Sequence, residues 1–409
     1  MSHKPRNFDA IIIGSGQGGN PLAIALAQKG WQVALVEREH IGGSCINTAC
    51  TPTKTMIASA RIVHLIHRAQ DFGIDSATGS VNLSKVLRRK NDIVTSFRNG
   101  SREQLTSTSG ITLIEGNARF VGKKLLEIDL LKGEKEKIQS EYIFINTGTK
   151  SSKPPIPGID DVNALDSTSM MEIDKIPEHL LIIGGGYVGL EFGQMFRRFG
   201  SQVTIIQLND QLLPLEDEDI AEEIAEILQQ EGIQILLRTN TVKIDAPEKE
   251  KIVLSVKIDE KEQTLEGSHL LVATGRVPNT STLNPEETGI SLDNRGFIPV
   301  NARLETTVPG IFAIGDVKGG PAFTHIAYDD HKILLKNILE GGQATISDRI
   351  LPYVVFIDPQ LGRIGLNEKQ AKSQGYDYRV AKIPMSWVAR AIETDETKGT
   401  MKAMIDRKT

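Results

Sequence analysis

Short runs of consecutive apolar residues recur along this chain, at 8–13, 33–36, 142–146, 180–183, 203–206, 270–273 and 311–314. Runs this brief and this rich in β-branched residues predict strands buried on both faces of a parallel sheet. Helical patterns lie between them. One covers 21–29 and stops at Gly30; a second, over 83–106, carries a polar face bearing Arg and Lys. A third, 217–230, sets Ile220, Ile224, Ile227 and Leu228 on one side. Shorter strands at 111–114, 118–121 and 125–128, with turns expected at Gly116, Gly122 and Gly133, predict a β-meander. A second meander covers 242–265, and after residue 351 short strands return around a helix at 367–374.

The order of these elements repeats. In each half a buried strand runs into a glycine turn, a helix and a second strand, followed by a meander and a Thr-Gly pair. The first turn is Gly14-Ser15-Gly16-Gln17-Gly18-Gly19, and its second strand ends in Glu37. The later turn is Gly184-Gly185-Gly186-Tyr187-Val188-Gly189, and its second strand ends in Gln207. Glycines at this spacing let a backbone approach a pyrophosphate at a helix N-terminus, and the acid suits both hydroxyls of a ribose. The duplication predicts two dinucleotide sites. Asp316 follows the buried run 311–314, where ligands gather at the carboxyl ends of sheet strands; capping the next helix is its alternative use.

The first half carries an insert that the second lacks. Cys45 and Cys50, the only cysteines among 409 residues, have four residues between them and precede a helical stretch to about residue 69. Free N–H groups at a helix mouth stabilise a thiolate, and Lys54 adds positive charge. The pair can therefore cycle between dithiol and disulfide. Zinc would need about four ligands, and no further Cys or His cluster is spaced to supply them; inert buried thiols are the other alternative. His325 and His331 read as packing residues without an evident acid–base partner.

Composition narrows the class. Hydrophobic residues make up 39% and charged residues 24%, ordinary for a globular protein. A net charge of −5 argues against a nucleic-acid partner held through phosphates. No apolar run nears the roughly 18 residues of a membrane span. Residues 1–9 are polar and leave no room for a cleaved signal, so with two cysteines a reducing cytoplasm is expected.

Together, Gly14/Gly16/Gly19 with Glu37, the segment from Gly42 through Cys45 and Cys50 to Lys54, Gly184/Gly186/Gly189, Ala273-Thr274-Gly275 and Gly315-Asp316 carry a resemblance. Over essentially its whole length the chain resembles the class I flavoprotein pyridine nucleotide–disulfide oxidoreductases, the family of glutathione reductase, dihydrolipoamide dehydrogenase and mercuric reductase. The Thr-Pro-Thr-Lys wording and residues 388–391 look most similar to mercuric-reductase-like members. The resemblance implies an α/β fold of two Rossmann-like domains, each with a meander, plus an α+β interface domain. It places FAD on 1–150 and 280–350, NADH or NADPH on 151–279, and dimerisation on 351–409. FAD would be held by Gly14, Gly16, Gly19, Glu37, Gly43, Ser44, Lys54, Ala118, Thr147, Gly148, Gly315 and Asp316. The nicotinamide nucleotide would fall to Gly184, Gly186, Gly189, Gln207 and Gly275. Cys50 would be the sulfur near the flavin and Cys45 the one that meets the acceptor. Lys54 would lie near the flavin paired with Glu191, and Tyr187 would act as an aromatic gate; packing beside the turn is its plainer role. Electrons would pass to a disulfide or to a thiol-bound metal ion such as Hg(II), and no protein-bound metal is implied.

Two departures shape the expectations. Gln207 stands where an acid would favour NADH, yet residues 208–211 offer no cation for a 2′-phosphate, so NADH is expected to serve at least as well as NADPH. The tail also lacks the family's His-Pro motif, whose His acts across a dimer, and the terminal cysteine pair of mercuric reductases. The interface domain is therefore expected to be incomplete and turnover of disulfides poor. Dihydrolipoyl dehydrogenase, a glutathione-reductase-like enzyme and a catalytically silent redox-sensing flavoprotein remain the alternatives.

Overall fold

The computed structural model describes residues 4–75, 80–248, 250–347 and 349–408. The chain is a mixed α/β protein. It opens with β1 (Ala10–Ile13), α1 (Gly19–Gln28), β2 (Val33–Glu37), α2 (Gly43–Asn47), α3 (Cys50–His67) and α4 (Leu83–Ser107). There follow β3 (Ile111–Gly122), β4 (Leu125–Leu130), β5 (Lys135–Gln139) and β6 (Tyr142–Ile145). The second half runs through β7 (His179–Ile183), α5 (Tyr187–Phe199), β8 (Gln202–Ile206), α6 (Glu218–Gln230) and β9 (Ile233–Leu236). Next come β10 (Thr239–Glu248), β11 (Lys251–Ile258), β12 (Lys261–Gly267), β13 (His269–Val272), β14 (Ile311–Ala313) and α7 (Thr324–Leu339). The last segment holds β15 (Pro352–Val355), β16 (Leu361–Ile364), α8 (Glu368–Ser373), β17 (Tyr378–Pro384), α9 (Ala389–Glu393) and β18 (Thr400–Asp406).

Two compact units form. The first gathers residues 1–53, 89–150 and 276–349. Its sheet runs in the order Arg6–Asn7, β5, β4, β3, β2, β1, β6, β14. β1 pairs in parallel with β2 on one side, Ile11 opposite Ala34, and with β6 on the other, Ile11 opposite Ile143. All four residues of β1 are buried, as a central strand covered on both faces requires. The sequence pattern placed a turn at Gly116, with Ala118 opening a new strand; instead β3 is one strand of 12 residues. It continues from the parallel sheet into the meander, with Ala118 opposite Ile128. Gly116 marks close approach rather than a break, because a Cβ there would sit 2.6 Å from the Asp129 carbonyl oxygen.

The second unit gathers 54–88, 151–275 and 350–409. Its parallel sheet has the order β9, β8, β7, β13, Ala164–Leu165, so third, second, first and fourth strands follow one another as in the first unit. β10, β11 and β12 form its antiparallel meander. α5 stops where Gly200 takes a left-handed φ of 114°. α8 is capped by Asn367, which trades hydrogen bonds with Gln370 in a capping box. Lys402 on β18 meets Asp217, Asp219 and Glu368, which pins the last hairpin to α6 and α8. These three carboxylates close on an ammonium, whose proton affinity they raise against the cost of its burial. Among the described residues, no helix is long and apolar enough to cross a membrane.

Candidate active site

In the first unit the glycine turn after β1 is built by contact. Gly14 adopts φ 101°, and a Cβ on it would meet the Asn146 carbonyl oxygen at 2.4 Å. A Cβ on Gly19 would lie 2.4 Å from the Gly14 oxygen, so only glycine lets α1 begin this close to the strand. Asn146, at the end of β6, donates its amide to the Gly14 carbonyl at 3.1 Å. Nothing in the motif announced that residue. Glu37 accepts from the Ser15 backbone N–H at 2.9 Å and the Ser15 hydroxyl at 2.7 Å. The same carboxylate accepts the Glu39 N–H at 2.9 Å, and a half-buried carboxylate still has lone pairs left for ribose hydroxyls.

The cysteine segment abuts this turn. Gly42 donates its N–H to the Ser15 carbonyl and hydroxyl, each at 3.1 Å. A Cβ on Gly43 would reach the Gly16 Cα at 2.7 Å. Ser44 and Cys45 follow within α2, and Cys50 opens α3. The two thiols are not joined in a disulfide, and both are half-buried. The Thr324 hydroxyl, at the start of α7, lies 3.3 Å from Cys50 Sγ. Thr324 comes 274 residues later in the chain, which is why the cysteine motif did not reveal it. A hydroxyl there can donate to a thiolate and favours the charged form. Thr324→Val is expected to raise the Cys50 thiol pKa and slow its alkylation several-fold at neutral pH. The rate of iodoacetamide labelling against pH, in a Cys45→Ser background, checks it; an unchanged profile would remove Thr324 from the site.

The far ends of β6 and β14 complete the first unit's cradle. Thr147 Oγ1 is buried and has no hydrogen-bond partner within the described residues. Gly148, at φ 66°, accepts the Asn279 N–H at 3.0 Å. Asp316 accepts from the Thr149 hydroxyl at 3.0 Å, and Arg276 donates to that same hydroxyl at 2.7 Å. Asp316 sits in a short turn of 3-10 helix and does not cap α7, whose N-cap is Phe323. Gly315 N–H donates to Asp330 at 2.8 Å. Asp330 is fully buried and also pairs with Lys318 and Arg349. Of the two histidines read as packing residues, His331 is buried, and burial lowers its pKa; His325 is exposed and stacks on Phe323.

The second unit repeats the turn. Gly184 has φ 116°, and a Cβ on Gly189 would stand 2.0 Å from the Gly184 oxygen. Nothing lies within 4 Å of a Cβ built on Gly186 or on Gly275, which leaves both faces open. Gln207, buried, accepts the Gly185 N–H at 3.0 Å. The first unit uses Glu37 toward Ser15 in the same way, and both bonds span 22 residues. Tyr187 begins α5 and is exposed.

One face of α5 then holds a strap from the last segment. Glu191, Gln194 and Arg198 stand at helical spacing. Glu191 accepts the Phe356 N–H at 2.9 Å, Gln194 exchanges two bonds with the Asp358 backbone, and Arg198 pairs with the Asp358 carboxylate at 2.7 Å. Lys54 and Arg61, seven apart on α3, meet this face. Lys54 Nζ donates to Glu191 at 2.8 Å and lies 4.6 Å from the centre of the Phe356 ring. Arg61 pairs with Asp358. Burial opposes charge on Asp358, but Arg198 and then Arg61 outweigh it and hold the carboxyl below its ordinary range. A depressed folded pKa stabilises fully above the unfolded value, near pH 4, and the contribution vanishes as pH falls through the folded value. Asp358→Asn should therefore cost about 2 kcal/mol at neutral pH. The gap from the parent protein should close in strong acid, as urea unfolding at the two pH values would show.

Comparison with known proteins agrees with this duplicated, thiol-bearing architecture. Residues 8–330 match the family model described as pyridine nucleotide-disulphide oxidoreductase, and residues 351–409 match that family's dimerisation domain. The probable pyridine nucleotide-disulfide oxidoreductase RclA of Escherichia coli is 39% identical over 406 residues, 98% of this chain and 87% of that protein. Mercuric reductase of Bacillus cereus is 35% identical over 98% of this chain and 63% of its own length. Dihydrolipoyl dehydrogenase of Thermus scotoductus is 35% identical over 99% and 86%. Among solved structures, the Cu(II) complex of the HOCl-induced flavoprotein disulfide reductase RclA from Escherichia coli has a TM-score of 0.89. It is 37% identical, and the match covers 99% of this chain and 87% of that one. Fold, glycine turns, thiol pair and these matches lead to one conclusion: the chain belongs to the pyridine nucleotide-disulphide oxidoreductase family.

Proposed function

We propose that the protein is an FAD-dependent NAD(P)H oxidoreductase. Two electrons reach the Cys45–Cys50 pair and leave it for a disulfide or a thiol-bound metal ion such as Hg(II) or Cu(II). The observation that carries this reading is the contact of Gly43 with Gly16, which sets the cysteine segment directly against the first nucleotide turn. The Cu(II) complex of the RclA relative supports the metal-ion arm.

The first unit suits FAD. Its glycine turn leaves no room for side chains, Thr147 Oγ1 is a buried hydroxyl in want of a partner, and Glu37 and Asp316 offer carboxylates to sugar and ribityl hydroxyls. Gly43, Ser44, Ala118, Gly148 and Gly315 would complete that cradle, and Gly184, Gly186, Gly189, Gln207 and Gly275 would take NAD(P)H. FAD, when bound, supplies a carrier that moves an electron pair from a nicotinamide to a disulfide. Residues 1–150 with 280–350 act as the FAD domain, 151–279 as the NAD(P) domain, and 351–409 joins two copies into a homodimer.

The chain's own groups account for the thiol chemistry. The Cys45 thiolate attacks one sulfur of a substrate disulfide, that S–S bond breaks, and the first substrate thiol leaves with a proton. Cys50 then attacks Cys45 Sγ, the second thiol leaves, and the Cys45–Cys50 disulfide remains for reduction at the expense of NAD(P)H. The Thr324 hydroxyl favours the Cys50 thiolate, and the Lys54 ammonium is held in place by Glu191; Tyr187, exposed at the start of α5, would act as the aromatic gate. A cytoplasmic setting, where thiols stay reduced, suits this cycle.

The test is oxidation of NADH and NADPH by the FAD-loaded protein, without oxygen, with glutathione disulfide, lipoamide, Hg(II) and Cu(II) in turn. Acceptor-dependent oxidation that requires both cysteines is expected. Failure to bind FAD, or oxidation indifferent to both cysteines, would refute the reading. Flavin that is reduced yet passes electrons to no acceptor would identify a redox-sensing flavoprotein instead.

A further inference from the structure

We infer that Arg238 and Lys369 form a cationic subsite for the 2′-phosphate of a nicotinamide nucleotide, so that NADPH is preferred to NADH. The inference rests on the reading of the second glycine turn as the NAD(P)H site. It runs against what residues 208–211 alone suggested.

Three backbone bonds fasten the end of β9 to the loop that follows β8. Gln207 N–H donates to the Leu236 carbonyl at 2.8 Å, Arg238 N–H to the Asn209 carbonyl at 2.9 Å, and Thr239 N–H to the Gln207 carbonyl at 3.0 Å. Arg238 is thereby held beside the loop, just past the carboxyl end of a parallel strand, the edge at which ligands of such sheets bind. It adopts a left-handed φ of 49°, a conformation that an arginine has no intrinsic reason to occupy. Its side chain is exposed and forms no hydrogen bond or ion pair with any described residue. A free guanidinium with a planar fork of donors is the side chain best matched to a phosphate.

The second cation arrives from the last segment. Lys369, in the first turn of α8, donates its Nζ to the Gln211 side-chain oxygen at 3.0 Å. It forms no ion pair among the described residues; the field of its charge falls on Glu216, a carboxylate already paired with Arg363. The nearest acids are otherwise engaged: Glu216 with Tyr353 and Arg363, Asp217 and Glu368 with Lys402. Asp210, exposed, is the one acid among residues 207–211. Gln207 fits the same ligand. Its oxygen accepts the Gly185 N–H and its amide donates to the Gln211 carbonyl at 3.2 Å. A carboxylate at that strand end would bind a free 2′-hydroxyl and repel a 2′-phosphate, whereas a neutral amide leaves the phosphate's cost to be set by the two cations.

The experiment uses the full-length FAD-loaded protein and Arg238→Gln, Lys369→Gln and the double variant. All three change exposed side chains, and circular dichroism confirms their folding. Two quantities are read: the ratio of kcat/KM for NADPH over NADH, and calorimetric affinity for adenosine 2′,5′-bisphosphate against 5′-AMP. The parent protein should prefer the 2′-phosphorylated ligand in both, more strongly at low salt. The double variant should lower each ratio by about tenfold or more. Ratios that do not move, or a parent protein that favours NADH, would overturn the inference while leaving the nucleotide site intact. If neither 5′-AMP nor NADH binds, the nucleotide-site reading fails and the inference with it.

Discussion

Replacing Cys50 with serine is expected to abolish electron transfer to every acceptor, by at least about a thousandfold, as loss of a catalytic nucleophile usually does. A serine hydroxyl fills nearly the same space and can still meet the Thr324 hydroxyl, so folding should be unaffected. It cannot close a disulfide with Cys45. Under the proposed cycle the first exchange at Cys45 still forms a mixed disulfide, and nothing then resolves it. The variant should therefore trap one equivalent of substrate thiol, detectable by mass spectrometry, while Cys45→Ser should trap none. Reduction of bound FAD by NADPH, followed by its visible absorbance, should persist in both. Turnover in Cys50→Ser comparable to that of the parent protein would overturn the assignment of the pair.

Glu191→Leu carries the second large effect, because one buried carboxylate serves two donors. Its oxygens take the Lys54 ammonium at 2.8 Å and the Phe356 N–H at 2.9 Å, and its side chain is 5% exposed. Leucine would leave an amide N–H without an acceptor and an ammonium without a counter-charge. The Lys54 side chain is 30% exposed and regains some water, so the cost falls below that of a fully buried pair. A loss of about 2–4 kcal/mol in unfolding free energy follows. Glu191→Gln separates shape from charge: it retains an acceptor for Phe356 and should cost less. If Lys54 acts electrostatically at the proposed flavin site, both variants should also slow FAD reduction by about tenfold or more. Stability and reduction rate both unchanged in Glu191→Gln would remove the carboxylate's charge from the account.

Chain order alone determined a good deal. Buried apolar runs at 10–13, 33–36, 180–183 and 203–206 became parallel strands because such runs can be satisfied only between two covered faces. The glycine turns were legible because left-handed backbone and close approach leave glycine as the one residue that fits, as Gly14 and Gly184 demonstrate. The cysteine motif and the helix that Cys50 opens were legible from a pattern a few residues long, whereas the separate short helix α2 that holds Cys45 was not. The family followed from these local signs taken together.

Tertiary structure decided the partners. Thr324 reaches Cys50 across 274 residues, and Asn146 reaches Gly14 across 132. Asp330 lies beneath Gly315, and the strap 356–358 lies along α5. No periodicity encodes such pairs, since each is set by where two elements pack. Gly116 was misread because a glycine that permits close strand approach has the same local signature as one that breaks a strand. The charge around Gln207 shows the limit most clearly. The four residues after it hold no cation, yet Arg238 is bonded to that loop through its backbone, and Lys369 reaches Gln211 from 158 residues away. A sheet sets strands side by side without regard to their distance along the chain, so the field at a strand's end belongs to the fold and not to the segment.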